Sequence, residues 1–250
     1  MVLAEGSVRE RRRAETVREI KDAALEQLAE AGAGALSLRG VARAVGMTVQ
    51  SLYHYFPSRD ALLTALVADA HHALADAVQA AADATRGRPA PERRHAAANA
   101  YRRWALENRA RFLLIYGTPV PGFVVDEAGG TSEAARRLAT PFVETVFDGW
   151  TPEEIAAVPP VPGINDAGDG RIPLPPGALA WLLDLRARMH GMVVLELLDH
   201  LHPLQGRSAE LFAAAVQRLA ADVEAEHARA RALVAAGAAA AGTAQPRSSR

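Results

Sequence analysis

The stretch from Ser37 to Leu63 reads S-L-R-G-V-A-R-A-V-G-M-T-V-Q-S-L-Y-H-Y-F-P-S-R-D-A-L-L and leaves the chain few folds to choose from. Leu38, Val41, Ala42 and Val45 recur at the spacing of a half-buried helix. Gly46 then breaks the pattern, and glycine tolerates a left-handed helix terminus. Thr48 can cap a second helix whose inward side carries Met47, Leu52 and Phe56. Small Ala42 and turn Gly46 let two short helices cross closely and steeply, the geometry of a helix-turn-helix. In that geometry the second helix, roughly Val49 to Tyr55, enters the DNA major groove.

Composition agrees with an all-helical chain. Half of the 250 residues are apolar, but alanine dominates them and aromatics make up only 5%. Such alanine-rich stretches favour helix over sheet. The chain has no cysteine, which excludes disulfides and thiolate metal sites and fits a reducing, cytoplasmic setting. Early charges (Glu5, Arg9, Glu10) argue against a secretory leader, and no run of eighteen apolar residues predicts a membrane span. A net charge of −1 does not by itself mark a nucleic-acid binder. The informative charge is local, in Arg9, Arg11, Arg12 and Arg13.

Four segments follow in order. Residues 1–13 read as a flexible basic arm, either a solvated tail or an arm that meets DNA phosphate or minor groove. Residues 14–60 form the helix-turn-helix domain, whose first helix, about Ala14 to Ala31, buries Val17, Ile20, Ala24 and Leu28. Residues 61–234 form a helical effector-binding and dimerisation domain. Its helices are expected from Arg59 to about Thr85, Pro91 to Asn108, Arg109 to Tyr116, Ser132 to Trp150, Ala178 to Leu201 and Ser208 to Val234. Breakers lie at Gly117 to Gly122 and in the proline-rich loop from Pro159 to Gly177. Residues 235–250 read as a disordered tail.

The polar, outward positions of the reading helix are Thr48, Gln50, Ser51, Tyr53 and His54, with Val49 beside them. Glutamine suits bidentate bonds to adenine, and serine or threonine can meet several bases. Tyr53 and His54 stand where they can reach phosphate. Ser37, Ser58 and Arg59 lie at or beside helix N-termini, whose free N–H groups attract phosphate. Between Val49 and Phe56 there is no Lys or Arg, so affinity has to come from phosphate contacts and from duplication of the head.

These residues resemble the DNA-binding signature of TetR-type transcriptional regulators, from about Thr16 to Leu63. Arg59 stands where such regulators often carry lysine, and it keeps the charge. Further on, Arg186 to Glu196 and Tyr116 to Gly122 resemble a subtype named for a Trp-His-Gly signature, although Met189 stands where the tryptophan would be. The resemblance implies an all-helical fold with a helical-bundle C-terminal domain that binds an inducer, and a homodimer on a pseudo-palindromic double-stranded operator. It also implies repression relieved by a small molecule, with no cofactor.

An apolar effector needs an apolar cavity with a few polar anchors. Tyr101, Trp104, Phe112, Tyr116, Phe142, Phe147, Met189 and His190 are the residues for it, although aromatics at helical spacing also simply fill cores. His190 beside Gly191 reads more readily as a packed, hydrogen-bonded histidine at a close helix crossing than as a ligand contact. The last two long helices are expected to form the dimer interface. Two other classes compete with this reading. A di-metal carboxylate enzyme needs two Glu-x-x-His motifs, and Glu92 to His95 is the single one; Glu196, His200 and His202 lack partners from a third helix. A helical ligand-binding or scaffold protein without DNA binding is disfavoured by Gln50, Tyr53 and Arg59.

Overall fold

The computed structural model describes residues 8–117, 130–162 and 172–243, and among them every regular element is helical. Ten α-helices run in order: α1 Val8–Ala31, α2 Leu38–Ala44, α3 Val49–Tyr53, α4 Arg59–Ala84, α5 Ala90–Glu107, α6 Arg109–Tyr116, α7 Gly130–Val146, α8 Pro152–Ala156, α9 Pro176–Leu197 and α10 Ser208–Thr243. Short 3-10 turns occupy Ala33–Ala35 and His202–Leu204.

Two termini differ from the sequence expectation. The arm expected to be flexible through residue 13 is helical from Val8. No glycine or proline interrupts residues 8–31, and the alanine, arginine and glutamate there are good helix formers. At the other end α10 continues past residue 234 to Thr243, because a run of alanines outweighs the cost of Gly237. Residues 1–7 and 244–250 lie outside the described residues, as do the breaker at 118–122 and positions 163–171 of the proline-rich loop.

The chain divides into two compact units, and the division falls inside α4 rather than at residue 60. The first unit takes residues up to Leu74 together with Ala105–Ala135, and so includes α1, α2, α3 and α6. Its core joins Ile20, Ala24 and Leu28 of α1 to Val41 and Ala42 of α2, Leu52 of α3 and Leu62, Leu63 and Leu66 of α4. Leu52, fully buried, contributes about 1.5–3 kcal/mol to holding the short α3 in place. The first half of α4 therefore belongs to this core by packing.

Turn chemistry fixes the angle between α2 and α3. Gly46 adopts φ 67°, the Met47 N–H donates to the Ala42 carbonyl at 2.9 Å, and the Gly46 N–H donates to the Arg43 carbonyl at 3.2 Å. That pair of bonds is a Schellman ending, which turns the chain sharply. Pro57 disfavours helical geometry at Phe56, so α3 stays short.

The second unit holds Ala75–Trp104 and Arg136–Arg250. Part of its core gathers Val146, Phe147, Trp150, Val158, Leu182, Leu185 and Val223. The sequence reading did not anticipate α8. Thr151 caps it with a full capping box, accepting from the Glu154 N–H at 3.2 Å while Glu154 Oε2 accepts from the Thr151 N–H at 2.8 Å. By length and composition α4 could cross a bilayer, its most apolar window averaging a mean hydropathy of 1.2, yet half of that window is buried in protein. Its apolarity is that of a core helix.

Candidate nucleic-acid interface

Three hydroxyls set the frame of the reading head. Ser37 caps α2, accepting from the Gly40 N–H at 3.4 Å, and its own N–H donates to Gln27 Oε1 at 3.3 Å. Thr48 caps α3, accepting from the Ser51 N–H at 3.1 Å and sharing a 2.8 Å bond with the Ser51 hydroxyl. Ser58 caps α4 by accepting from the Ala61 N–H at 3.0 Å. All three are expected from the sequence to face DNA, and each also has a structural task.

The remaining positions sort by face. Gln50, Tyr53 and His54, spaced i, i+3, i+4, are exposed together, whereas Leu52 points into the core. Tyr53 is 45% exposed, high for an aromatic side chain and consistent with a surface kept for a partner. Val49 is half-buried against the core of the unit, so only part of it faces outward. Arg59 is half-buried too: its Nε donates to the Leu36 carbonyl at 3.1 Å, and its Nη1 lies 3.8 Å from Asp60 Oδ1. That side chain ties the start of α4 to the segment before α2. Sequence patterning passes over Arg39 and Arg43, both exposed on α2, the helix that crosses the DNA backbone in this motif. Their spacing of four opposite Leu38, Val41 and Ala42 was the available signal. Finally, the Arg13 guanidinium lies over the Tyr55 ring, 5.1 Å from its centroid, which links α1 to the segment just after the reading helix.

The eight residues singled out for an effector fall in both units. Phe112 and Tyr116 belong to the first, with ring centroids 5.0 Å apart and the Tyr116 ring edge-on to His71 at 6.0 Å. Tyr101, Phe142 and His190 meet in the second: the Tyr101 hydroxyl and His190 Nδ1 share a 2.8 Å hydrogen bond, and Phe142 stands edge-on to Tyr101 at 5.9 Å. Partial burial, helped by the Arg186 charge, pushes the His190 imidazole below its ordinary value, so it is neutral at pH 7. Met189 and Trp104 are buried in this unit. Phe147 sits in a different cluster, with Trp150 at 5.3 Å and Trp181 at 6.0 Å. A cavity of about 430 Å³ opens in the first unit, lined by Val17, Leu25 and Leu66 together with charges of both signs, Arg18, Lys21, Arg111, Asp22 and Asp69. It is not lined by any of the eight.

Comparison with known proteins matches both parts of the chain. Residues 20–66 match the family model described as bacterial regulatory proteins, tetR family, and residues 94–219 match the one described as tetracyclin repressor-like, C-terminal domain. The HTH-type transcriptional regulators Mb1846 of Mycobacterium bovis and Rv1816 of Mycobacterium tuberculosis are each 42% identical over 123 residues, 49% of this chain and 52% of theirs. The matched part thus spans about half the length of these curated relatives. Among solved structures, the protein SCO4313 is 35% identical with a TM-score of 0.70, over 85% of this chain and 98% of that one. The fatty acid degradation regulator FadR from Bacillus halodurans shares the fold at 13% identity and a TM-score of 0.56, over 81% of this chain and 97% of its own.

Proposed function

From the premise that the chain belongs to the TetR family of bacterial transcriptional regulators and carries its DNA-binding domain, we propose that it is a homodimeric repressor released from its operator by a small apolar effector. The observation that carries this reading is the outward face of α3. Gln50, Tyr53 and His54 are exposed side by side, on a helix fixed from behind by Leu52 and from its start by Thr48. Gln50 is the base reader, because its amide can pair bidentately with adenine, whereas Thr48 and Ser51 are largely occupied with each other. Tyr53, His54, Ser37 and Ser58 serve phosphates, and Arg59 holds the frame.

Two copies of such a head would read successive major grooves of a pseudo-palindrome. The exposed Leu195 and Leu198, at and just beyond the end of α9, and Leu233 on α10 support a dimer through these two helices. In the second unit the Tyr101–His190 pair, beside the Phe142 ring, supports an effector site with one neutral polar anchor on an aromatic wall. Release requires the effector to bind the two head spacings with different affinity, and a ligand indifferent to them would shift nothing. A chromosomal operator places the work in the cytoplasm.

Selection from a pool of random duplexes tests this reading. The full chain should enrich a pseudo-palindromic site, and Gln50→Ala should weaken binding to it by about 1–3 kcal/mol while relaxing base choice at one position in each half. A pool that stays random after selection would overturn the assignment of α3 as reader. A thermal-shift screen of apolar small molecules then tests the effector site, with Tyr101→Phe expected to diminish any stabilisation found.

A further inference from the structure

We propose that the first turns of α1 form a rigid phosphate clamp beside the reading helix, made by Arg9, Arg12 and Arg13 and excluding their neighbour Arg11. The proposal rests on the DNA-binding reading and goes beyond it by assigning a second, sequence-independent contact surface. It starts from helical register. The buried stripe of α1 runs through Leu28, Ala24 and Ile20, and the half-buried Val17 and Thr16 continue it one turn back. Positions seven, eight and eleven residues before Ile20 lie on that same inward stripe. They are Arg13, Arg12 and Arg9. Arg11, nine residues before Ile20, points to the opposite side.

The inward face of α1 therefore changes from apolar to cationic where the helix runs past the core. All three arginines are exposed, and among the described residues no ion pair holds any of them. What holds the segment is Tyr55, whose ring carries the Arg13 guanidinium at 5.1 Å. Tyr55 lies two residues beyond the end of α3, so this contact ties Arg13, and with it the start of α1, to the segment that ends the reading helix. A charged face tied to the end of the reading helix lies within reach of the duplex on which that helix docks. The backbone flanking a groove contact is phosphate.

Local energetics support the same partner. Cations in the first turns of a helix oppose its dipole, and here four arginines stand against Glu10 and Glu15. A sequence that breaks a local rule in this way marks a functional surface, and duplex phosphates would relieve the repulsion. Because the segment is helical before binding, little ordering entropy is lost on contact. The clamp reads no base. It adds affinity to a reading helix that has no charge of its own.

The test is the salt dependence of duplex binding by the full-length chain, measured by fluorescence anisotropy on a labelled mixed-sequence duplex. Each phosphate neutralised steepens the plot of log K against log salt by about 0.9. The double variant Arg9→Gln with Arg13→Gln should flatten that slope by about two units per head, and Arg11→Gln should keep the wild-type slope. Arg9→Lys with Arg13→Lys should also keep it, because the contact is one of charge. A wild-type slope in the glutamine pair, an equal flattening by Arg11→Gln, or a flat slope in the lysine pair would each overturn the clamp. A wild-type chain whose duplex affinity ignored salt would instead overturn the DNA-binding reading, and the clamp with it.

Discussion

The two units of this chain use polar residues in opposite ways. In the first, the core is apolar and the polar side chains of α3 point outward, so Gln50, Tyr53 and His54 are left to a partner. In the second, polar groups are wired to one another. Arg93 pairs with Asp148 at 2.6 Å; Arg94, itself buried, pairs with Glu224; Arg102 pairs with Glu196, which also accepts from the Ser208 hydroxyl at 2.6 Å. The contrast separates two kinds of sensitivity. Substitutions in the second unit should register first as lost stability, and substitutions on the face of α3 as lost recognition.

Arg102→Ala tests the contrast most severely. Both partners of the pair are less than a fifth exposed, so the variant leaves the Glu196 carboxylate enclosed and half-satisfied. Breaking a pair enclosed to this degree costs about 3 kcal/mol, the lower end for fully buried pairs, read as a fall in the urea midpoint of the second unit. An unchanged midpoint would mean that these ion pairs decorate the unit rather than hold it. Gly177→Ala comes next, at about 2–3 kcal/mol. A β-carbon there would sit 2.2 Å from the Val158 carbonyl oxygen and 2.7 Å from that of Pro159, and backbone cannot swing aside. Gly191→Ala is the matched control, because a β-carbon at 191 meets nothing within 4 Å.

On the first unit the comparable change is smaller. Thr48→Ala removes the α3 cap and should cost about 1 kcal/mol of stability. Thr48→Ser keeps the capping oxygen and loses only the methyl group. If serine restores stability but not duplex affinity, Thr48 reads DNA as well as capping. If serine restores both, the methyl group has no part in recognition.

This contrast also explains what the sequence disclosed. The head was legible because its determinants are local: the Gly46 turn, the Ser37, Thr48 and Ser58 caps and the inward Leu52 all lie within a few residues of what they control. The helix α8 was legible in principle, since Thr151, Pro152 and Glu154 spell a capping box with proline in the first turn, but at five residues it offers no periodicity. The polar wiring of the second unit was not legible at all. Tyr101 and His190 are 89 residues apart in the chain, and Arg102 and Glu196 are 94 apart. A single sequence gives no reason to join them. The same non-locality divides the eight effector residues: helical spacing recognises an inward aromatic but not which unit or cluster it joins. The composition of the C-terminal segment reads as disordered, whereas helix persistence there depends on the summed propensity of its alanines, which carry α10 to Thr243.

The smallest expected effect concerns Glu154, where the wiring of the second unit reaches a titratable pair. The Thr151 N–H, and then His227 at 3.0 Å, hold its carboxyl below the ordinary value of about 4.5. The unfolded chain, free of those donors, takes up the proton first as pH falls. The stabilisation is therefore complete above about 4.5 and drains away as pH drops through the lowered folded value. Glu154→Gln removes this titration while keeping an oxygen for the Thr151 N–H. Urea midpoints should show wild type above the glutamine variant at pH 6, with the gap narrowing as pH is lowered below 4.5. A gap that stayed constant across that range would show that Glu154 acts through shape alone. The contact to His227 would then be incidental to the α8–α10 packing, and the second unit would owe its hold to its close backbone contacts and its larger ion pairs.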